Sequence, residues 1–277
     1  VGICHQIEKA AKENIIDDYC ALLAATELYA VTNDDNYLNY AKKRAKLLID
    51  RVSSDENFNG WWSANNDKSR PFFHGVESGL PLIALKRYLD FEKDSILIEK
   101  TVNAIQKSID FELSITNAVH NPFGYPRQYV KAVNESSAKA SFFIPHQNET
   151  GYWWQGENSR LASLVSAFNL TNKYMTENQK IESKKFIANC NNWILGLNPY
   201  DVCMVDGLGY NNPDYKESVS LNFKGGVCNG ITSGFSDEND IAFMPLPQDN
   251  DPSHKWRWSE QWMPHSAWFI LAVTTSK

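Results

Sequence analysis

No stretch of this 277-residue chain holds 18 or more consecutive apolar residues, so no helical membrane span and no membrane partner are expected. A basic surplus is also missing. Lys and Arg number 27 against 33 Asp and Glu, and the net charge of -6 argues against a nucleic-acid partner. GxSxG, P-loop and GxGxxG patterns do not occur, so serine-hydrolase, nucleotide and dinucleotide readings have no support and no cofactor is expected. The five cysteines (Cys4, Cys20, Cys190, Cys203, Cys228) are odd in number and far apart, without a CxxC pair. They read as free or buried thiols and lean toward a reducing, cytoplasmic compartment. His5, His74, His120 and His254 stand alone without ligand spacing, so no metal site is expected. The first residue is Val1, without a signal-like segment after it, and the chain reads as a processed product or a fragment.

What the chain does have is tryptophan, concentrated near its end. Residues 255–268 carry Trp256, Trp258, Trp262 and Trp268 together with Arg257, Glu260 and His265. Flat aromatic faces suit the CH-rich faces of sugar rings as well as cores. A carboxylate buried among them is expected to rise in pKa toward that of a general acid. The alternative is a Trp-rich core segment in which Glu260 is merely paired.

Helical periodicity predicts helices over about 17–32 (capped by Asp17 or Asp18), 36–52, 76–91 with an early break at Pro81, 95–116, 157–173, 177–196 and 261–275. Gly196 is the expected C-cap of the sixth. These helices fall into αα-hairpins separated by long polar and aromatic loops at 53–75, 117–156 and 197–259, and strand-like alternation is scarce. No domain linker and no fixed repeat appear, so residues 1–277 read as one all-α domain, either a solenoid or a closed α/α toroid, with the loops on one rim.

Glycosidic hydrolysis normally uses two carboxyl groups, an acid for the leaving oxygen and a second group that activates water or attacks the sugar. Glu260 is the acid candidate. A second polar–aromatic cluster, His146 to Arg160, offers Glu149, Trp153, Trp154, Glu157 and Arg160 as sugar contacts. Its plainer reading is that Glu157 opens the fifth helix and pairs with Arg160 three residues on. The loop aromatics Trp61, Trp62, Phe72, Phe73 and His74 suggest either a binding rim or anchors to the core. Asp237, Glu238 and Asp240 read as a solvated acidic turn, with a cation or amine site as the alternative.

The segment Asn192-Trp193-Ile194-Leu195-Gly196-Leu197-Asn198-Pro199 resembles the LLGxNP block of glycoside hydrolase family 9. A GxGxNPP-like run, Gly207 to Pro213, follows it, and Glu260 stands seven residues before the small residue Ala267, as the family's catalytic Glu does. Asp18–Thr32 and Gly79–Tyr88 also look like family helices. Phe143–Arg160 and Trp256–Trp268 look most like the branch that acts on glucosamine oligosaccharides. The resemblance implies an (α/α)6 toroid, inverting hydrolysis of β-1,4 bonds in glucosamine or glucose oligosaccharides, and Glu260 as general acid. His146, Glu149, Trp153, Trp154, Glu157, Arg160, Trp256, Trp258 and His265 would be the substrate contacts.

Three departures accompany it. The family's histidine–arginine pair is replaced by Asp214-Tyr215-Lys216-Glu217, and His265 stands where an aromatic is usual; both favour a sugar other than a cellulose unit. The DxGD motif that carries the family's water-activating aspartates is absent. The toroid needs twelve helices, against about seven legible here. The chain is therefore expected to be the C-terminal part of a catalytic domain whose base lies on a missing N-terminal part. The rival expectations are a non-catalytic carbohydrate-binding or structural fragment, and another toroid enzyme using His146 or His265 as acid or base.

Overall fold

A computed structural model describes residues 14–151, 153, 156–213, 222–234 and 252–276, with side chains from 256 onward in the last segment. Eight helices are present among these residues: α1 (Ile15–Thr32), α2 (Asp35–Asp50), α3 (Leu80–Leu89), α4 (Ser95–Asn117), α5 (Asn158–Thr171), α6 (Glu177–Leu195), α7 (Pro252–Ser259) and α8 (Met263–Thr275). The predicted helices match seven of them closely. The eighth, α7, lies inside the segment read as loop. Two short antiparallel hairpins also interrupt the all-helical expectation: β1 (Val52–Ser54) with β2 (Asn59–Trp62), and β3 (Gln128–Val130) with β4 (Lys139–Ser141).

The helix ends have local causes. Asn14, not Asp17 or Asp18, caps α1; its side chain accepts from the backbone of Ile16 and Asp17, and Asp17 answers from the N3 position in a capping box. Thr176 and Gln179 form the same box on α6, and Gly196 ends that helix at φ 119° as expected. Pro81 does not interrupt α3. The helix begins at Leu80 and takes the proline in its first turn, where the missing N–H costs nothing. Gly79, just before it, sits so near α5 that a Cβ would come within 2.1 Å of the Ser163 carbonyl oxygen, so only glycine fits.

Packing sorts the helices into two rows. In one row α1 packs on α3, α3 on α5, and α5 on α8; in the other α2 packs on α4 and α4 on α6. α5 is the central member, buried on every side along Asn158–Phe168, and its Ser159, Ser163 and Ser166 allow close approach of its neighbours. Tyr19, Leu22, Leu82, Leu85, Leu161, Phe168 and Trp193 belong to one continuous core. Asp18 ties the first hairpin together: it accepts from Arg44 at 3.1 Å and from Arg51 at 2.5 Å, and all three side chains are buried.

The end helices of the row α1–α3–α5–α8 are both apolar around much of their circumference. α1 exposes Ile16, Leu28 and Val31, and α8 exposes Met263, Ile270 and Val273. Helices of that composition normally have neighbours on every side.

Candidate functional site

Three chain segments far apart in sequence are stitched together by backbone hydrogen bonds beside the start of α5. Gly156 N–H donates to the Arg257 carbonyl, Asn158 N–H to Asn229, Gly230 N–H to Trp258, and Asn229 N–H to Glu260. Cys228 and Gln261 form an antiparallel bridge, and the Asn158 side chain donates to the Cys228 carbonyl at 2.9 Å. The junction is tight: a Cβ on Gly156 would come within 2.0 Å of the Gly230 carbonyl oxygen. This seam brings the loop before α5 against the segment joining α7 to α8.

Beside it lies a cavity of about 330 Å3 lined by Phe73, His74, Gly75, Val76, Ile144, Thr150, Trp153, Gly156, Glu157 and His265. The volume lies within the range of small-molecule sites. The sequence-predicted residues Trp153, Glu157 and His265 thus meet on one wall system. Phe73 and His74 join them from the 53–75 loop, which makes part of that loop a rim. Trp61 and Trp62 of the same loop are buried and serve as anchors.

Trp153 is half-buried and stacks on His146, ring centroids 3.6 Å apart and 25° from parallel. His146 Nε2 lies 3.3 Å from Ser233 Oγ, and the Trp153 carbonyl accepts from Thr232. Beyond Trp153 sits the buried Arg257 guanidinium, 5.6 Å from the ring centre, its pKa lowered by burial. Arg257 was legible in the Trp-rich stretch only as a charge among aromatics.

Glu157 and Arg160 follow the plainer of their two readings. Glu157 stands at the N-cap position of α5 with both carboxylate oxygens occupied. Tyr125 OH donates to it at 2.6 Å, Gln128 Nε2 donates to the other oxygen, and Arg160 pairs at 2.9 Å. Burial alone would lower the Arg160 pKa; Glu157, Tyr125 and Glu112 together outweigh it and hold the guanidinium charged. The pair forms a rigid, internally neutral wall. Glu149 is exposed and pairs with Arg70, which joins the two loops flanking the cavity.

His265, in the first turn of α8, is 2% exposed. Burial pushes its pKa down to about 4, against weaker opposition from the carbonyls of Trp262 and Gly156. Its Nδ1 is sealed in the interior without a hydrogen-bond partner. His74 is also lowered by burial, with Glu77 opposing. Its Nδ1 accepts from the backbone N–H groups of Val76 and Glu77, which places its proton on Nε2. Both imidazoles are therefore neutral near pH 7. Periodicity could not have flagged His74, because the cavity residues it meets, Trp153, Glu157 and His265, lie far away in sequence.

Glu260 lies between α7 and α8, three residues before the last helix rather than opening it. Its backbone N–H donates to Trp256 and its carbonyl accepts from Asn229; its side chain is half-buried and is not among those lining the cavity. The tryptophans around it divide. Trp258 is a core residue packed edge-on to Tyr200, whereas Trp256 and Trp262 are half-buried. Trp154, Asp214 to Glu217, Asp237, Glu238 and Asp240 lie outside the described residues, as do Cys4, His5 and the His254 side chain. No group of three metal-ligating side chains occurs among the described residues.

One further carboxyl was not anticipated. Glu112 of α4 lines a small cavity with Trp62, Phe72, Phe73, Arg127 and Arg160, and burial raises it to about 7 although Arg160 opposes. Phe73 contributes to both cavities.

The fold is mostly helical, with an aromatic cavity between its loops. The sequence model of glycosyl hydrolase family 9 matches residues 10–222, and the chain belongs to that family of glycoside hydrolases. No curated protein matches it.

Proposed function

We propose that this chain is the C-terminal part of a glycosidase catalytic domain that cleaves β-1,4 bonds in glucosamine or glucose oligosaccharides with inversion. The observation that carries this reading is the cavity between Trp153 and His265, together with the family membership. Trp153, held flat by His146, is the platform for a sugar ring, and Trp256 and Trp258 shape the segment behind it. Glu260 donates the proton to the leaving oxygen from its place beside the seam.

The base comes from outside these residues. Helices that complete the domain pack on the apolar flanks of α1 and α8, closing the row into an (α/α)6 ring. A second reading, a sugar-binding fragment without catalysis, is favoured by one fact: Glu157, the one carboxylate among the described residues lining the cavity, is spent on Tyr125, Gln128 and Arg160.

The test is Glu260→Gln in the complete enzyme. Loss of the general acid should lower kcat by about 10²–10⁴-fold with little change in thermal stability. Near-normal turnover would remove Glu260 from the mechanism.

A further inference from the structure

The turn that leads into α3 holds two side chains with hydrogen-bonding capacity left over. His74 Nδ1 accepts from the backbone N–H groups of Val76 and Glu77, which fixes the ring and leaves its proton on Nε2. The Ser78 hydroxyl donates to the His74 carbonyl at 2.7 Å and closes the same turn. Glu77 is held from the other side. The hydroxyl of Tyr19, a buried ring of α1, donates to its Oε1 at 2.9 Å. The protein thus sets both groups in place in advance, which spares a ligand the cost of ordering them.

The two groups face each other without meeting. His74 Nε2 and Glu77 Oε1 stand 3.9 Å apart, too far for a hydrogen bond. Among the described residues the Nε2 proton has no acceptor and Glu77 Oε2 has no donor. The gap is not sealed: the side chains are 29% and 27% exposed, and His74 lines the cavity beside Trp153. An oxygen seated beside the gap, about 2.8 Å from each atom, would bond both. The two ends select its chemistry, because the imidazole offers a proton and the carboxylate offers lone pairs. A hydroxyl accepts from the first and donates to the second. An ether or carbonyl oxygen brings only lone pairs to Glu77, and an ammonium brings only protons to His74.

We propose that His74 and Glu77 clamp one hydroxyl group of the sugar at the edge of this cavity, with His74 Nε2–H donating to the hydroxyl oxygen and the hydroxyl donating to Glu77. This rests on the glycosidase reading and deepens it. The ring carbon that enters the clamp carries a hydroxyl and not an amine, and the two residues determine specificity at that carbon.

The experiment is calorimetric titration of the full chain at pH 7 with the β-1,4-linked glucose trimer and with its monodeoxy forms. His74→Asn removes the Nε2–H donor and keeps an acceptor for the Val76 and Glu77 N–H groups. Glu77→Gln keeps an acceptor for Tyr19 and removes the charge. Each should weaken the trimer by about five- to tenfold. The double variant should be no more than about tenfold weaker than native, because one hydroxyl is lost only once. One monodeoxy trimer should bind the native protein about tenfold more weakly than the parent trimer, and His74→Asn should not tell the two apart. Native affinity in both single variants, or losses that multiply in the double variant, overturns the clamp and leaves the glycosidase reading standing. Equal binding of every monodeoxy trimer to the native protein does the same, and needs no variant to fold. Absence of binding by the parent trimer overturns both.

Discussion

Two buried carboxylates in this protein are held by arginine, and their surroundings differ. Asp18 is enclosed between α1, α2 and the strand that follows, and bridges Arg44 and Arg51. Glu157 makes an equally saturated set with Arg160, Tyr125 and Gln128, but one side of it faces the cavity beside Trp153. The local chemistry is the same in both, so an ion pair by itself identifies neither core nor site. What separates them is the neighbourhood: the Asp18 cluster is tied to the first helical hairpin and, through Arg51, to the loop at Ala64 and Asn66, whereas the Glu157 cluster lends a rigid wall to a space with two neutral histidines.

The comparison can be broken from either side. Asp18→Ala leaves two buried guanidinium groups facing each other and should cost about 3–5 kcal/mol, read by denaturant unfolding, with no effect on sugar affinity beyond the loss of folded protein. Glu157→Ala should cost about 3 kcal/mol and in addition weaken sugar binding in the protein that remains folded, because the wall loses its shape. If both variants lost stability alone, Glu157 would be a core residue that happens to border a cavity.

A smaller effect sharpens the picture of the cavities through pH. Glu112 has its folded pKa raised to about 7 from an ordinary 4.5, so the unfolded chain releases this proton at lower pH than the fold does. Its stabilising share is whole below about pH 4.5 and is lost as pH rises toward 7. Glu112→Gln should therefore gain about 1–2 kcal/mol relative to the native protein at pH 8, with the gain vanishing by pH 4.5. His265 works in the opposite sense. Its pKa is depressed to about 4 from 6.5, so its stabilising share is present above 6.5 and lost as pH falls through 4. A flat difference between Glu112→Gln and the native protein across this range would contradict the burial of that carboxyl.

Most of the helical frame was legible because apolar residues such as Leu22, Leu85, Leu161 and Phe186 recur at helical spacing and cap residues stand at the ends. α7 was not, since Pro252-Ser-His-Lys-Trp-Arg-Trp-Ser carries no apolar period and lies in a segment rich in Gly, Asn and Asp. The hairpins escaped because three or four residues are too few to display alternation. For the site, Trp153, Glu157 and His265 stood out by composition, but composition could not divide the tryptophans. Trp61, Trp62 and Trp258 went to the core and Trp153 to the cavity, a choice made by tertiary packing. His74 stood out only as one of the loop aromatics, and Glu112 carried no signal at all. Each becomes notable only when segments about 40 to 190 residues apart are brought together.

The most direct test of the account is the contribution of Trp153 to sugar affinity. Calorimetric titration of native protein and Trp153→Ala with the tightest-binding β-1,4 trimer should show affinity falling at least about tenfold, on the order of 1.4 kcal/mol, with the unfolding midpoint little changed. Unchanged affinity in a folded Trp153→Ala protein would mean that sugar does not enter this cavity, and the site would have to be sought elsewhere on the molecule.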